Sequence, residues 1–587
     1  MRRNKKTMGL LHIDHFSLEL SQDTLWKPIL RDISFSMEKG ETIGIVGESG
    51  SGKSVTALSI MGLIDKKKSK ITSGNIVFFD QEKDKSIDLT TLTEEQYLKI
   101  RGKKIAMIFQ EPMTSLNPVI KCGEQICEAI LLHEKLSKKR VYQLVIKLLN
   151  EVMLPRPEEI FDSYPHELSG GQKQRVMIAM AMSCHPDILI ADEPTTALDV
   201  TVQKGILELI RNLQQKHGMS VIFITHDLGV VAEIADRVLV LYKGEIVESG
   251  KVNEVLYHPE HPYTKGLLSC RPPLDVRPKL LLTVKDFMEH YDAESRTSSQ
   301  IMQELVSDEE RKISHERLYS QKPIIKIEGL SKSYPIRNHK LFAKKEYVHA
   351  LQNVNVDIYE GETLGLVGES GCGKTTLGRS MIRLIEPTEG KVIYKGHSLT
   401  ELSNHDLRKV RKDLQIILQD PYSSLNQRLT VGSSIMEPMK VHHLHHTDKE
   451  RKQKAIELLE RVDLNESHFY RYPHEFSGGQ RQRISIARAL AVNPTFIICD
   501  ESVSALDVSV QAQVLNLLNE LKKEYHFTYI FISHDLSVVK FMSDRMAVMR
   551  HGQIVEINEA DKIYQSPQTE YTRQLIAAIP NVDEVWD

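Results

Sequence analysis

The sequence predicts an α/β fold that is built twice, in tandem, along one chain of 587 residues. The segment YPHELSGGQKQR at 164–175 returns as YPHEFSGGQRQR at 472–483, so the chain contains an internal repeat. Short apolar runs without polar alternation, such as TIGIV at 42–46, are typical of strands buried on both faces of a parallel sheet. The length also exceeds what a single hydrophobic core usually serves.

The composition is that of a globular protein and gives no sign of nucleic-acid binding. Hydrophobic residues make up 41% of the chain, and 76 basic against 79 acidic residues give a net charge of −3. The N-terminus, MRRNKKTMGLLHIDHF, lacks the apolar core of a signal peptide, and no window approaches the roughly 18 to 20 apolar residues of a membrane-spanning helix. We therefore expect a chain that is not exported and does not itself cross a membrane.

The motif spacing divides the chain into three parts. We predict one domain at 1–270, an extension and partly helical linker at 271–322, and a second domain with a short C-terminal extension at 323–587. The first copy holds about a dozen more residues between its early and middle motifs, and a longer surface loop at 80–93 is expected to contain them. Each copy should end in a β-hairpin, turned at Lys243–Gly244 and at His551–Gly552.

A glycine-rich loop follows the first buried strand of each copy. GESGSGKS at 47–54 and GESGCGKT at 368–375 fit the P-loop pattern, in which backbone N–H groups and a lysine hold phosphates while a hydroxyl ligates Mg²⁺. The sequence therefore predicts two tandem P-loop NTPase domains. The residues assigned to nucleotide binding are Gly47, Glu48, Ser49, Gly50, Ser51, Gly52, Lys53, Ser54 and Val55, and Gly368, Glu369, Ser370, Gly371, Cys372, Gly373, Lys374, Thr375 and Thr376.

Acidic residues and a histidine follow two further apolar strands in each copy. LIADE places Asp192 to hold Mg²⁺ and Glu193 to orient and deprotonate the water that attacks the γ-phosphate. His226, after the next strand, can donate to that phosphate. An isolated acidic strand end or histidine is more often structural, but the position downstream of a P-loop in both copies favours catalysis. The second-copy counterparts are Asp500, Glu501 and His534.

These motifs together resemble the nucleotide-binding domains of ATP-binding cassette (ABC) proteins, whose signature is SGGQ in a YPHE-LSGGQ-KQR frame. The resemblance implies a RecA-like core, an antiparallel β subdomain and a helical subdomain in each copy. It also implies head-to-tail docking, so that each ATP lies between one P-loop and the signature loop of the other domain. A glycine pair at a helix start offers free N–H groups and a positive dipole to the γ-phosphate.

The resemblance assigns further roles, residue by residue. Gln110 and Gln419 become Q-loop residues that touch Mg²⁺ and the attacking water, Asp199 and Asp507 become the acids of the D-loops that cross the interface, and Glu193 and Glu501 become the general bases. The metal ligands are Ser54, Gln110, Asp192, Thr375, Gln419 and Asp500. The signature residues Ser169, Gly170, Gly171 and Gln172 face Lys374, and Ser477, Gly478, Gly479 and Gln480 face Lys53. Tyr334 is assigned to adenine stacking, for which the first copy offers Leu20 or Trp26. Two hydrolytically competent sites are expected.

Two functional classes remain open for twin cassettes without membrane spans. One is the ATP-hydrolysing subunit of an importer, and the other is a soluble ATPase that acts on ribosomes or DNA. The segments EPMTSLNP at 111–118 and DPYSSLNQ at 420–427 resemble the subfamily that imports dipeptides, oligopeptides and nickel, including fused glutathione- and microcin-type importers. HPYTKGLL at 261–268 and TEYTRQLIAAIP at 569–580 are similar to the C-terminal extension of that subfamily.

The importer resemblance implies partners and a location. It predicts a peripheral protein at the cytoplasmic face of the cell (inner) membrane, bound to two permease subunits, with an extracytoplasmic binding protein that delivers peptides or related small solutes. Some relatives hold an iron–sulfur cluster in the extension, but only Cys270 lies in that region, so no cluster is expected. The histidine run at 442–446 is expected to form a solvated helical face.

Overall fold

The computed structural model describes residues 9–22, 25–110, 115–196, 198–289, 291–292, 297–298, 304–335 and 347–579. Each half contains one six-stranded sheet and one four-stranded antiparallel sheet. The strands of the first half are β1 Leu11–Gln22, β2 Leu25–Met37, β3 Thr42–Val46, β4 Ser69–Asp80, β5 Lys85–Asp88, β6 Ile105–Ile108, β7 Ile188–Asp192, β8 Ser220–Ile224, β9 Arg237–Tyr242 and β10 Glu245–Lys251. Two short strands follow in the linker, β11 Tyr291–Asp292 and β12 Thr297–Ser298.

The second half repeats this arrangement. Its strands are β13 Pro323–Pro335, β14 Tyr347–Tyr359, β15 Thr363–Val367, β16 Glu389–Tyr394, β17 His397–Ser398, β18 Leu414–Ile417, β19 Phe496–Asp500, β20 Thr528–Ile532, β21 Arg545–Arg550 and β22 Gln553–Glu559. The order of the first core sheet is β6-β7-β8-β3-β9-β10, and that of the second is β18-β19-β20-β15-β21-β22. These orders are equivalent strand for strand, so the predicted α/β fold class, built twice, is confirmed.

The helices fall into the two halves and the linker. Those of the first half and linker are α1 Lys53–Ile60, α2 Glu94–Tyr97, α3 Cys122–His133, α4 Lys138–Glu151, α5 Pro157–Asp162, α6 Gly170–Ala181, α7 Val200–His217, α8 Leu228–Ile234, α9 Val252–Tyr257, α10 Pro262–Ser269, α11 Val284–Glu289 and α12 Asp308–Tyr319. Those of the second half are α13 Lys374–Met381, α14 Asn404–Val410, α15 Pro421–Ser424, α16 Val431–Val441, α17 Asp448–Arg461, α18 Gly478–Leu490, α19 Val508–Tyr525, α20 Leu536–Met542, α21 Ala560–Gln565 and α22 Glu570–Ala577. None of these described helices has the length and apolar character needed to span a bilayer.

The core sheets bring the ends of several strands to one edge. In the first core sheet, β6, β7, β8 and β3 lie side by side and run parallel. Every residue of β3, β7 and β8 is buried. Because parallel strands end at the same edge of a sheet, the loops after these strands lie side by side. This edge is where the P-loop, Gln110, Asp192 and His226 follow their strands.

The extra residues of the first copy do not all lie where the sequence predicted. The strand β4 has 12 residues and its counterpart β16 has 6, and the added N-terminal part of β4 pairs with β1 at Leu18–Leu20. The expectation of a longer loop confined to 80–93 is therefore wrong in part, since the added residues of β4 lie before 80, whereas the β4–β5 turn at 81–84 and the longer β5 do fall within that range. The added strand residues are mostly exposed, so no apolar alternation marked them as a strand.

The histidine run at 442–446 also differs from its prediction. The helix α16 ends at Val441, and the run forms the connection to α17 instead of a helical face. His443 and His445 have φ values of 55° and 57°, a left-handed backbone that cannot continue a right-handed helix.

The predicted linker packs against the second half. The backbone N–H of Leu281 donates to the side chain of Asn516 at 2.9 Å, and the amide of Asn516 donates back to the Leu281 carbonyl at 2.8 Å. The ring of Tyr319 meets that of Tyr359 edge-on at 5.2 Å between centroids. One apolar cluster runs from Cys270 and Val284 into the core of the second half. The first half is therefore joined to the second by packed side chains as well as by the chain itself.

Candidate functional site

Each P-loop wraps around its own lysine. Lys53 is buried, and its Nζ donates to the carbonyls of Gly47 at 2.7 Å and of Glu48 at 2.9 Å. Lys374 makes the equivalent bonds at 2.6 and 3.0 Å. A Cβ on Gly47 would lie 2.2 Å from the carbonyl oxygen of Leu241, so the loop passes too close to β9 for any larger residue. Burial lowers the pKa of Lys53, and the nearby carboxylates of Glu193 and Asp507 oppose that effect.

A hydroxyl and a carboxylate stand together beside each P-loop. The Ser54 hydroxyl donates to Asp192 Oδ1 at 3.1 Å, and the Thr375 hydroxyl donates to Asp500 Oδ1 at 2.9 Å. Burial raises the pKa of Asp192 to about 6, although the bond from Ser54 opposes the rise, and burial also raises the pKa of Asp500. Hydroxyl and carboxylate oxygens are the ligands that Mg²⁺ prefers, so these residues fit the cation predicted there.

The two candidate bases have an unusual backbone. Glu193 and Glu501 both have φ of 47°, in the left-handed region that non-glycine residues rarely adopt. Their N–H groups donate to the carbonyls of Ile224 and Ile532, each at 2.9 Å, which holds the conformation in place. Strained backbone of this kind is concentrated at functional sites, where it fixes the direction of a side chain.

Three side chains hold the Glu193 carboxylate. Gln110 Nε2 and the Thr196 hydroxyl each donate to Oε2 at 2.9 Å, and His226 Nδ1 lies 3.3 Å from Oε1. Burial alone would raise the pKa of Glu193, but His226, Lys53 and Thr196 together lower it to about 2. The sequence did not single out Thr196, whose only signal is its place three residues after Glu193 in DEPTT.

The second site has the same plan with different distances. Gln419 Nε2 donates to Glu501 Oε2 at 2.6 Å, and His534 Nδ1 lies 3.7 Å from that oxygen. Burial alone would raise the pKa of Glu501, but His534, Lys374 and Gln419 lower it. Ser504, which replaces Thr196, donates to the backbone carbonyl of Glu501 instead of its carboxylate. The two carboxylates are therefore ionised in similar but not identical surroundings.

The D-loop acids reach across the interface between the halves. Asp199 Oδ2 accepts a hydrogen bond from the backbone N–H of Ser370 at 3.2 Å. Asp199 also lines a cavity of about 230 Å³ over the second P-loop, together with Lys374, Gln419 and Glu501. Asp507 of the second half acts on the first site through its charge. Although burial opposes the rise, the hydrogen bond and charge of Glu193, together with the charge of Asp507, raise the pKa of His226. Asp199 thus contacts the P-loop of the second half, and the charge of Asp507 influences His226 of the first half.

The signature residues begin helices α6 and α18. The Ser169 hydroxyl accepts from the N–H of Gln172, and Gln172 Oε1 accepts from the N–H of Ser169, so the pair closes a capping box that Ser477 and Gln480 repeat. Ser169, Gly170, Ser477 and Gly478 are exposed. Of the described residues of the first half, Asp199 alone lines the cavity over Lys374, so the signature residues do not line it in this structure.

The candidate adenine contacts differ between the halves. Tyr334 is exposed, and the Lys332 ammonium lies 5.1 Å from its ring centroid. Leu20 is half-buried and packs against the antiparallel core of the first half, whereas Trp26 lies opposite Ser21 on the neighbouring strand and is 46% exposed. Trp26 is therefore the more accessible of the two alternatives.

The segments after the Q-loops are only partly within the described residues. Residues 111–114 of the predicted EPMTSLNP segment lie outside them. Beyond that gap, Leu116 is buried, as is its counterpart Leu425 in the second half. Tyr422 is 52% exposed, and Arg481 lies over its ring at 5.3 Å. Each segment is thus anchored by a leucine, and the second presents an aromatic ring to solvent.

Two protein families match this chain. The family described as "ABC transporter" matches residues 30–196 and 351–504. The family described as "Oligopeptide/dipeptide transporter, C-terminal region" matches residues 247–292 and 555–587. The second pair of matches contains the HPYTKGLL and TEYTRQLIAAIP segments that follow the two hairpins.

Curated relatives match nearly the whole chain. The Glutathione import ATP-binding protein GsiA of Salmonella choleraesuis is 49% identical over 554 residues, which cover 94% of this chain and 87% of that protein. The protein of the same name from Escherichia coli strain K12 is 47% identical over 572 residues, covering 97% of this chain and 90% of its own. Among solved structures, the dimer of an ATP-binding cassette bound to ADP and Pi is 31% identical, covers 40% of this chain and 98% of its own, and has a TM-score of 0.37.

Proposed function

The chain belongs to the ABC transporter family of ATP-binding proteins, and from this membership we propose that it drives the uptake of glutathione or closely similar small peptides. It is an ATP-hydrolysing subunit of an ABC importer. The observation that carries the cargo proposal is the 49% identity to a glutathione import protein over 94% of the chain. The oligopeptide-type extension after both hairpins does not favour the alternative of an ATPase acting on ribosomes or DNA.

We propose that the two ATP molecules bind at composite sites. Each would lie between the P-loop of one half and the signature helix of the other. The bond from Ser370 to Asp199 supports this arrangement, because it already brings a loop of the first half to the second P-loop. The exposed first turns of α6 and α18 support it as well, since a helix N-terminus carries a partial positive charge that attracts anions. ATP would then join the two halves, and hydrolysis would separate them.

The proposed chemistry assigns one task to each residue around Glu193. Ser54 and Asp192 would hold Mg²⁺, which neutralises charge on the phosphates when it is bound. Glu193 and Gln110 would orient the attacking water. The contact with His226 helps to lower the pKa of Glu193, so loosening that contact would make the carboxylate a stronger base. A γ-phosphate that accepts a hydrogen bond from His226 would loosen it.

The motion of the halves would be passed to two membrane permeases through the segments after the Q-loops. The exposed ring of Tyr422 beside the buried Leu425 offers a contact surface of suitable chemistry on the second half. The chain would then lie at the cytoplasmic face of the membrane, held there by its permeases. An extracytoplasmic binding protein would deliver the cargo.

Uptake of labelled glutathione by cells that lack the gene tests this proposal. Uptake should be lost in these cells, restored by the wild-type gene and not restored by a gene carrying both Glu193→Gln and Glu501→Gln. Labelled dipeptides and a nickel chelate serve as competing cargo. Normal glutathione uptake in the deletion strain, together with co-sedimentation of the protein with ribosomes, would instead support the alternative class.

A further inference from the structure

The C-terminal extension of each half places a buried tyrosine against the P-loop of the same half. The Tyr263 hydroxyl, in the first turn of α10, accepts a hydrogen bond from the backbone N–H of Glu48 at 2.8 Å. In the second half, the Tyr571 hydroxyl accepts from the N–H of Glu369 at 3.1 Å. The surrounding sequences, HPYTKGLL and TEYTRQLI, differ at most positions. The same contact therefore forms twice on different local sequences.

A carboxylate on the last hairpin strand anchors each extension. Glu248 accepts from the N–H groups of Glu260 at 2.8 Å and of His261 at 3.2 Å. In the second half, Glu556 accepts from the N–H groups of Gln568 at 2.8 Å and Thr569 at 3.1 Å, and from the Thr572 hydroxyl at 2.6 Å. Each tyrosine thus follows a turn that is hydrogen-bonded to the hairpin, which fixes its position relative to the P-loop.

Tyr263 and Lys53 hold the same P-loop residue, Glu48, from its two sides. The carbonyl of Glu48 accepts from Lys53, while its N–H donates to Tyr263. An N–H that is partly shielded from water loses free energy without a partner, so the tyrosine stabilises the loop in the shape that surrounds the lysine. Burial raises the pKa of Tyr571 to about 12, so the phenol stays neutral and adds no negative charge beside a triphosphate.

We propose that Tyr263 and Tyr571 are positioning residues, through which the C-terminal extensions hold the P-loops in the conformation that binds the nucleotide. The proposal rests on the proposed ATP sites. Neither tyrosine touches the reacting atoms, so the bond should act equally on the bound substrate and the transition state. Its loss should therefore raise KM for ATP and leave kcat nearly unchanged.

The test replaces each hydroxyl and keeps each ring. Tyr263→Phe, Tyr571→Phe and the double variant are compared with Tyr97→Phe, which removes the hydroxyl of another buried tyrosine whose partner is the carbonyl of Leu89 at 2.8 Å. Steady-state ATP hydrolysis by the full-length protein gives KM and kcat. We expect KM to rise about 3- to 10-fold in the double variant, with kcat within about twofold and the control unchanged.

Hydrogen exchange provides a second measurement that does not depend on activity. Amides of the segment 43–52 should exchange faster in Tyr263→Phe than in Tyr97→Phe, because the Glu48 N–H loses its partner. Unchanged KM and unchanged exchange in the double variant would overturn this inference and leave the proposed function intact. A fall in kcat at constant KM would also overturn it. Wild-type protein that neither binds nor hydrolyses ATP would overturn both.

Discussion

Asp199 of the first half accepts a hydrogen bond from the backbone N–H of Ser370 in the second half at 3.2 Å. The other oxygen of the same carboxylate accepts from the N–H of Val202 at 2.9 Å and from the Thr201 hydroxyl at 2.6 Å, which caps α7. One side chain therefore joins the start of a helix in one half to the P-loop of the other. Asp507 begins α19 in the same way but makes no side-chain cap bond.

Asp199→Ala should reduce both activity and stability. Loss of the bond to Ser370 removes a charge-assisted contact beside the second site, and we expect kcat to fall about tenfold. Loss of the helix cap should lower the free energy of unfolding by about 1 kcal/mol. Asp507→Ala is the matched variant, and its stability should change less because it has no cap bond to lose. Equal shifts in denaturation midpoint for the two variants would contradict this account.

Glu193→Gln combined with Glu501→Gln should abolish steady hydrolysis while ATP still binds. The amide keeps the size of the side chain but cannot accept the proton of the attacking water. We expect kcat to fall by at least about 100-fold, measured by phosphate release, with ATP affinity reduced less than about threefold. Turnover by the purified double variant at the wild-type rate would show that neither glutamate is the base.

Asp192→Asn should stabilise the nucleotide-free protein at neutral pH. The pKa of Asp192 in the folded protein, about 6, lies above its ordinary value of 3.8, so the folded state binds this proton more tightly than the unfolded chain. Asp192 therefore destabilises the fold above pH 6, and this effect fades as the pH falls towards 3.8. We expect a gain of about 2 to 3 kcal/mol at pH 8 and a smaller gain at pH 5, measured by urea denaturation.

A matched control for that experiment, Asp187, lies just before the same strand. Asp187 forms an ion pair with Lys104 at 3.2 Å, so Asp187→Asn should not raise stability at either pH. The stabilising Asp192→Asn change should also weaken Mg²⁺-dependent hydrolysis, since an amide is a poorer ligand for that cation. A destabilised Asp192→Asn protein at pH 8 would mean that burial of the charge is not the dominant effect.

Ser169 and Ser477 should become protected when ATP binds. Both lie exposed at the first turn of their helices, and closure onto the opposite P-loop would bury them. In a background of Glu193→Gln and Glu501→Gln, thiol labelling of Ser169→Cys or Ser477→Cys should slow about tenfold with ATP. Ser467→Cys, at another exposed serine, should label at the same rate with or without ATP. Unchanged labelling of both signature positions would exclude the composite sites.

The sequence predicted those features that depend on a short local pattern of residues. The P-loops, the buried strands such as β3 and the terminal hairpins follow directly from glycine spacing and apolar runs. The N-terminal half of β4 pairs with β1 but is mostly exposed, so it carries no such apolar pattern. Nor did the sequence predict the left-handed backbone at His443 and His445, which follows the end of α16 at Val441.

The sequence predicted which residues form the candidate site better than it predicted the contacts between them. Motifs named Glu193, Gln110 and His226, and these three lie together. Thr196 and Tyr263 were not assigned roles, because each acts through one hydrogen bond whose partner is fixed only by the fold. The opposed pKa shifts of Asp192 and Glu193, neighbours in sequence, likewise depend on which side chains surround each carboxylate.

The docking of the linker onto the second half has a consequence for assembly. Cassettes made as separate subunits must meet by diffusion, so their pairing depends on protein concentration. Here the bonds between Leu281 and Asn516, and the apolar cluster through Cys270 and Val284, keep the two halves adjacent at an effective concentration of the order of millimolar. Specific activity should therefore stay constant on dilution, because the two halves never have to find each other in solution.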